Sequence, residues 1–599
     1  MSTFVPTYGA TAQPDGTTTF RFWAPNAAQV DVVIDDGAPV PMTREANGDF
    51  VAEAPCGAGA RYRFRIDGDL AVPDPASRLQ DGDVHDASLV TGPDAFSWQH
   101  TDWRGRPFEE TVLYELHPGL CGGFAGIAER LPALAALGIT AVELMPIADF
   151  PGARNWGYDG VLPYAPDTAY GTPDDLKRMI DTAHGLGLMV FLDVVYNHFG
   201  PDGNYLNAYA RDFFTEDTQT PWGPAIDFRK DPVRKFFAEN ALYWLSEYRF
   251  DGLRLDAVHA IAEPEWLPEM AAFVRSHIAD DRQVHLVLEN DDNIASHMEN
   301  GFDAQWNDDA HHVVHHLLTG ETNAYYIDYA DKPAEKLARV LGEGFVFQGE
   351  PSKMRKGEPR GTPSHKLRPT AFVLFLQNHD QVGNRAMGER LISLAPPDHE
   401  ALHAAVAMQL LCPHIPLIFM GEERGVETPF LYFTSHTDAE LVKAVREGRR
   451  REFAGLHEFE DEAAQARIPD PNESSTYERS RDDEAAGAPD ASTWLDLYRH
   501  LLGLRRTRIA PHLVGATSLG AQVLGSHAVS ARWLLGDGST LAIFTNLGTE
   551  PVTGEKLSDD YDAEAEVLFE SRAGADAALR SVKLLAGTTV ALLRASSAP

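Results

Sequence analysis

The chain has 599 residues, a mass of 65.8 kDa and a hydrophobic fraction of 44%, which excludes a disordered chain or one small core and predicts two to four domains. A formal net charge of −38 sets it against nucleic acid, anionic membranes and strongly anionic substrates, and suits a neutral one. No apolar run spans a bilayer, the first residues read as no signal peptide, and Cys56, Cys121 and Cys412 suit neither a zinc site nor a disulfide framework, so a reducing cytoplasm is expected.

The first hundred residues read as all-β. TTTFRFWAP, AQVDVVID and ARYRFRIDG are short alternating runs separated by Gly, Pro and Asp, and they predict a small sandwich over residues 1–100. From about Asp102 the pattern changes to alternating strand and helix. Eight strand-like segments follow: 111–117, 139–147, 188–198, the stretch around DGLRLDAVH (251–259), 284–291, 302–308, 371–380 and 415–423. Most are separated by amphipathic helices, which predicts parallel strands closed into a (β/α)8 barrel over 101–515. No GxGxxG follows an early strand, so the open doubly wound sheet is disfavoured. Two long excursions, 344–370 and the acidic 458–492, lie beside late strands, and the second reads as a solvated segment. Helix 493–508 closes the barrel, and residues 516–599 read as a C-terminal β domain, a second sandwich.

Polar chemistry collects where these strands end. Asp193, Asn197 and His198 end the third, Arg254 and Asp256 the fourth, Glu289 the fifth, and Asn378, His379 and Asp380 the seventh. In a parallel barrel those ends share one face, where active sites are built. Arg254 and Asp256 are two residues apart, so both face the lumen while Leu253 and Leu255 face the helices. A fixed cation beside Asp256 favours its ionised, nucleophilic form. Glu289 follows three apolar residues with no cation beside it in sequence, which favours the protonated form of a general acid. Two carboxyls tuned in opposite directions are what glycoside hydrolysis requires. A lone Arg–Asp pair in a strand is more often a buried ion pair without chemistry; four strand ends with the same habit argue otherwise.

DVVYNH (193–198), DGLRLDAVH (251–259), the glutamate of LVLEND and LQNHD (376–380) resemble the four signature segments of the α-amylase superfamily, in order and spacing. The resemblance implies Asp256 as nucleophile, Glu289 as general acid/base, Asp380 as a third carboxylate gripping the sugar, and Arg254 as partner of the nucleophile. It also implies His198 and His379 as hydrogen-bond donors to the sugar. Further segments, including PDPASRLQDGDVHDAS (73–88), NWGYDGVLPYAPDTAYGTPDDLK (155–177) and WNDDAHHVVHHLLTGE (306–321), resemble the maltooligosyltrehalose trehalohydrolase family over nearly the whole chain. That family implies a retaining hydrolase releasing trehalose from a malto-oligosaccharide end, with no cofactor and no metal. A branching enzyme, an ordinary α-amylase or a noncatalytic glucan binder are the alternatives, and a monomer or homodimer is expected. One departure stands out: after the first strand, PGLCGGFAG (118–126) is shorter than the family's usual loop at the barrel mouth.

Within that frame Tyr158 is expected as an aromatic platform under the sugar, with Trp156 beside it. Asp308 and Asp309 are assigned to the substrate cleft. Asn384 and Arg385 are expected on the cleft floor, in either a sugar-contacting or a structural role. His311, His312, His315 and His316 form two i,i+4 pairs on a predicted helix, but no HExxH accompanies them, so packing or cleft lining is favoured over a metal site.

Overall fold

The structure, a computed structural model, describes residues 4–92, 96–220, 223–455, 457–482 and 490–596. At the N-terminal end two antiparallel sheets face each other. One orders Gly9–Ala12, Thr18–Trp23, Asp49–Ala54 and Thr43–Arg44; the other is built around Val30–Ile34 and Arg61–Ile66. Alternation puts Phe20 and Phe22 inward, where they meet Tyr62 and Phe64 with ring centroids 5.0 and 4.1 Å apart.

Eight parallel strands close into a barrel in chain order: β1 (Leu113–Leu116), β2 (Ala141–Leu144), β3 (Met189–Val194), β4 (Gly252–Leu255), β5 (His285–Leu288), β6 (Ala304–Trp306), β7 (Phe372–Phe375) and β8 (Ile415–Phe419). Each lies inside a segment the sequence marks as a strand. The two-residue alternation sorts the side chains. Leu113, Ala141, Phe191, Val287, Trp306 and Phe375 fill the lumen, while Val142, Val190, Leu253, Leu255 and Leu286 join the core beneath the helices. In β4 only glycine fits at 252, because a Cβ there would lie 2.2 Å from the Phe191 ring.

The surrounding helices include α1 (Gly123–Leu137), α2 (Pro173–Gly185), α3 (Asp231–Glu247), α4 (Trp266–His277), α5 (Asp308–Thr319), α6 (Glu400–Leu411) and α7 (Ala491–Leu504). Their ends follow local chemistry. Thr172 and Asp175 form a capping box with Pro173 in the first turn of α2, and α1 stops at Gly138, which adopts φ 112°. The closing helix expected over 493–508 is α7, continued by a π-helical turn at Arg505–Ile509.

The excursions are docked. Segment 344–370 forms a small ribbon, Glu350–Pro351 with Pro359–Arg360. The acidic excursion departs from the solvated reading: Ile468, Thr476 and Ser480 are buried, and Ser480 Oγ accepts the Leu431 N–H at 3.0 Å. Its Asp470 and Asp482 pair with Arg446 and Arg424; residues 483–489 of it lie outside the described residues. The C-terminal domain is a five-stranded antiparallel sheet, in the order Thr517–Gly525, Ala528–Leu534, Thr540–Asn546, Thr588–Arg594, Glu566–Glu570. One face adds Val529, Trp533 and Ile543 to the main core. The other holds a small core with Leu557, Leu579 and Leu584, so the second layer is a two-stranded ribbon and two short helices. Among the described residues no helix is long and apolar enough to cross a membrane.

Candidate active site

Asp193 of β3 and Arg254 of β4 are register partners, so both project into the lumen at one level. Arg254 is fully buried and binds three carboxyls. Nη1 donates to Asp193 Oδ2 at 2.7 Å and to Asp256 Oδ1 at 2.9 Å, and Nη2 donates to Glu289 Oε2 at 2.8 Å. The guanidinium also lies 4.2 Å from the centroid of the Trp306 ring, a cation–π contact. The sequence puts no cation beside Glu289, but the barrel does. β4 and β5 run side by side, so a residue 35 positions upstream becomes its neighbour.

Two groups at the mouth of β4 complete the hold. Asn197 Nδ2 donates to Asp256 Oδ2 at 2.8 Å. Ala257 adopts φ 40°, an uncommon conformation for a residue with a Cβ. It turns the Ala257 N–H onto Glu289 Oε2 at 2.9 Å. Asp256 and Glu289 thus share one guanidinium. Their side chains remain 11% and 16% exposed above the sealed Arg254.

The two carboxyls are tuned apart. Burial opposes charge on Asp256, but Arg254, His198 and the Asn197 amide outweigh it and hold its pKa below the ordinary range. Burial pushes Glu289 well above the ordinary range, and the nearby charges of Asp256, Asp380 and Asp308 add to that against the pull of Arg254. Asp193 is raised to about 6 by burial despite Arg254.

Across the mouth, Asn378 caps the short helix His379–Gly383 through its side chain, and this helix carries Asp380, 34% exposed, in its first turn. Asn384 donates to Asp380 Oδ1 at 3.1 Å. His379 has its Nε2 2.7 Å from the Tyr158 hydroxyl and 3.4 Å from Asp380 Oδ2. The Tyr158 hydroxyl donates to Asp193 Oδ2 at 2.6 Å, and its ring stacks on His379 with centroids 5.1 Å apart.

The remaining candidate residues take varied positions. His198 holds the Tyr158 carbonyl through Nε2 at 2.9 Å and contacts Asn197 through Nδ1, so its ring braces the loop that carries Tyr158. Trp156 is 3% exposed, stacks on Phe430 and donates its indole N–H to the Leu431 carbonyl at 2.9 Å; it backs the site. Asp309 is fully buried and accepts from Arg360, Tyr329 and the Val346 N–H, so it anchors the 344–370 excursion. Asp308 is half-buried at the rim, with its pKa raised to about 7 by burial and then by Asp291. Arg385 makes a bidentate pair with Glu321, both contacts at 2.9 Å. On α5, His311 bonds the Leu376 carbonyl at 2.6 Å, His312 stacks on Tyr329, and His315 stacks on Tyr326, so these rings pack. The short first loop brings Gly119 beneath the Tyr477 hydroxyl, which comes from the late excursion.

Glu115 and Glu143 escaped the sequence reading. Each is the single charged residue of its strand, two positions after a lumen-facing Leu113 or Ala141. That parity, already decisive for Arg254, was the signal that would have found them.

Comparison with known proteins agrees with this geometry. Residues 78–222 match the family model of the alpha amylase catalytic domain, 7–77 match carbohydrate-binding module 48 (isoamylase N-terminal domain), and 516–592 match a domain of unknown function, DUF3459. A malto-oligosyltrehalose trehalohydrolase of Deinococcus radiodurans is 42% identical, over 83% of this chain and 82% of its own. One of Saccharolobus solfataricus is 42% identical, over 74% of this chain and 80% of its own. A crystal structure from Salmonella typhimurium, described as a candidate alpha amylase, superposes with a TM-score of 0.90 at 41% identity, covering 99% of this chain and 100% of that one. The barrel, its flanking β domains and these relatives together place the chain in the malto-oligosyltrehalose trehalohydrolase family.

Proposed function

We propose that the chain hydrolyses the α-1,4-glucosidic bond next to the terminal trehalose of maltooligosyltrehalose, with net retention, and releases trehalose. The observation that supports this mechanism above all is the single Arg254 guanidinium shared by a low-pKa Asp256 and a high-pKa Glu289. Asp256 attacks the anomeric carbon of the glucosyl unit on the non-trehalose side. Glu289 gives its proton to the bridging oxygen, and trehalose departs. Water then attacks the glycosyl-enzyme, with Glu289 taking its proton, and a malto-oligosaccharide of α configuration leaves. Asp380 and His379 hold the hydroxyls of the reacting ring, and Tyr158 is the platform beneath it. Asn384 acts through Asp380, and Asp308 borders the cleft. The three unpaired cysteines are in keeping with a cytoplasmic enzyme.

The test is product analysis with maltooligosyltrehalose and maltopentaose side by side. Trehalose release at a rate well above maltopentaose cleavage is expected, together with loss of at least about 10⁴-fold in Asp256→Asn. Branched glucan or short maltosaccharides as the main product would turn the assignment to a branching enzyme or an α-amylase.

A further inference from the structure

Glu115 and Glu143 are register partners on β1 and β2 and are each 1% exposed. They behave differently. Neither carboxyl oxygen of Glu143 has a hydrogen-bond partner, and burial with the charges of Glu115 and Asp193 keeps its proton on. Both oxygens of Glu115 go to one residue. Oε2 accepts the His379 backbone N–H at 3.0 Å and Oε1 meets His379 Nδ1 at 2.5 Å. Two contacts from one carboxyl fix both the start of the His379–Gly383 helix and the rotation of the imidazole. They leave Nε2 aimed between Tyr158 and Asp380.

We propose that Glu115 is a positioning residue of the reaction: from the rigid first strand it holds His379 as an imidazolium whose Nε2–H lies between the Tyr158 hydroxyl and Asp380 at the cleft. This rests on the reading of the cleft given above, in which His379 meets a hydroxyl of the reacting sugar. The groups that face His379 are Glu115 (β1), His117, Glu143 (β2), Tyr158, Asp193 (β3), Arg254 and Asp256 (β4) and Asp380. Burial and Arg254 oppose a positive ring, yet Asp380 and Glu115 raise its pKa to about 9. Of the two, Asp380 is a third exposed and Glu115 is sealed, so solvent and salt screen the first and not the second. A hydrogen bond from a cation to a hydroxyl that gains charge in the transition state acts on kcat more than on KM.

The experiment uses the full chain with Glu115→Gln, which keeps shape and removes charge. At pH 8, kcat on maltooligosyltrehalose is expected to fall about 100-fold, with KM moving less than about threefold. Activity should return in part as the pH is lowered, because the unassisted imidazole regains its proton. The second readout is ¹⁵N-histidine NMR, with the His379 signal identified by its loss in His379→Gln. Wild type should titrate near 9 and Glu115→Gln about two pH units lower. Should the glutamine variant not fold, Glu115→Asp keeps the charge at shorter reach, and is expected to keep the high titration while losing turnover. An unchanged His379 titration in Glu115→Gln, or an unchanged pH–rate profile with wild-type kcat, overturns the assignment. If wild type fails to cleave maltooligosyltrehalose, the reading of the reaction fails alone, and the NMR titration still decides the Glu115–His379 pairing.

Discussion

Arg254 lies 2.8 Å from Glu289, the residue proposed to act as an acid. A cation this close ordinarily strips a carboxyl of its proton. Here it does not, because Arg254 is shared with Asp193 and Asp256 while burial and the charges of Asp256 and Asp380 act on Glu289 in the opposite direction. The same guanidinium holds one carboxyl charged and fixes the geometry of the other without discharging it.

Arg254→Lys tests this sharing. An ammonium is a point charge and cannot serve three carboxyls in one plane. We expect kcat/KM to fall by about 10²–10³-fold, with the melting temperature used to show that the barrel still folds. Steady-state kinetics within a few-fold of wild type would sink the claim that the planar fork matters.

Asp251 precedes the same strand at the opposite end of the barrel. It pairs with Arg282 at 2.6 Å and His184 at 3.0 Å, and accepts the Val190 N–H and the Trp103 indole N–H. That face serves stability, not chemistry. Asp251→Ala should cost about 3–5 kcal/mol in denaturant unfolding, while the folded fraction keeps its kcat. Burial resists its charge, but Arg282 and His184 hold its pKa below the ordinary range. Its contribution is therefore present above the unfolded pKa and lost as pH falls through the lower folded one. Comparable loss of kcat in the folded variant would mean the two barrel ends are not separable.

Asp149 and Asp167 give the opposite pH dependence. Both are buried in the segment after β2, and burial pushes both pKa values up, Asp167 to about 8; the charge of Asp167 adds to the rise at Asp149. A raised folded pKa means stability that is full below the unfolded pKa and lost as pH rises through the folded one. Melting temperature should decline between about pH 5 and pH 8, and Asp149→Asn should flatten that decline. An equal slope in wild type and variant assigns the decline to other groups.

Gly383 ends the short helix that carries Asp380, and a Cβ there would lie 2.0 Å from the Trp156 ring. Gly383→Ala must move either the buried indole or the helix. We expect kcat to drop at least about tenfold, since misplacement of a positioned group by about 1 Å is costly, with stability lowered by about 1–3 kcal/mol. Wild-type turnover would show that Trp156 does not set the position of Asp380.

Much of the site was visible in the chain because strand periodicity is local. Arg254, Asp256 and Glu289 stand at the ends of runs whose alternation already says which way they point, and Asp380 follows such a run in the first turn of a short helix. The same rule applied to Glu115 and Glu143, but each was masked by lying mid-run among apolar residues. Trp156 and Asp309 went astray for a different reason. Trp156 lies in a loop and Asp309 in the first turn of α5, where local periodicity did not mark them as buried, and their burial depends on Phe430 and on Arg360, which lie more than 50 residues away.

The order of residues alone determined the eight strands, the parity of their side chains and the chemical types gathered at their ends, since each follows from sterics over a few neighbouring residues. Which carboxyl shares a cation, which carboxyl keeps its proton and which aromatic ring is sealed were decided by tertiary structure. Pairing across strands and exclusion of water are properties of the closed barrel, and no short stretch of chain contains them.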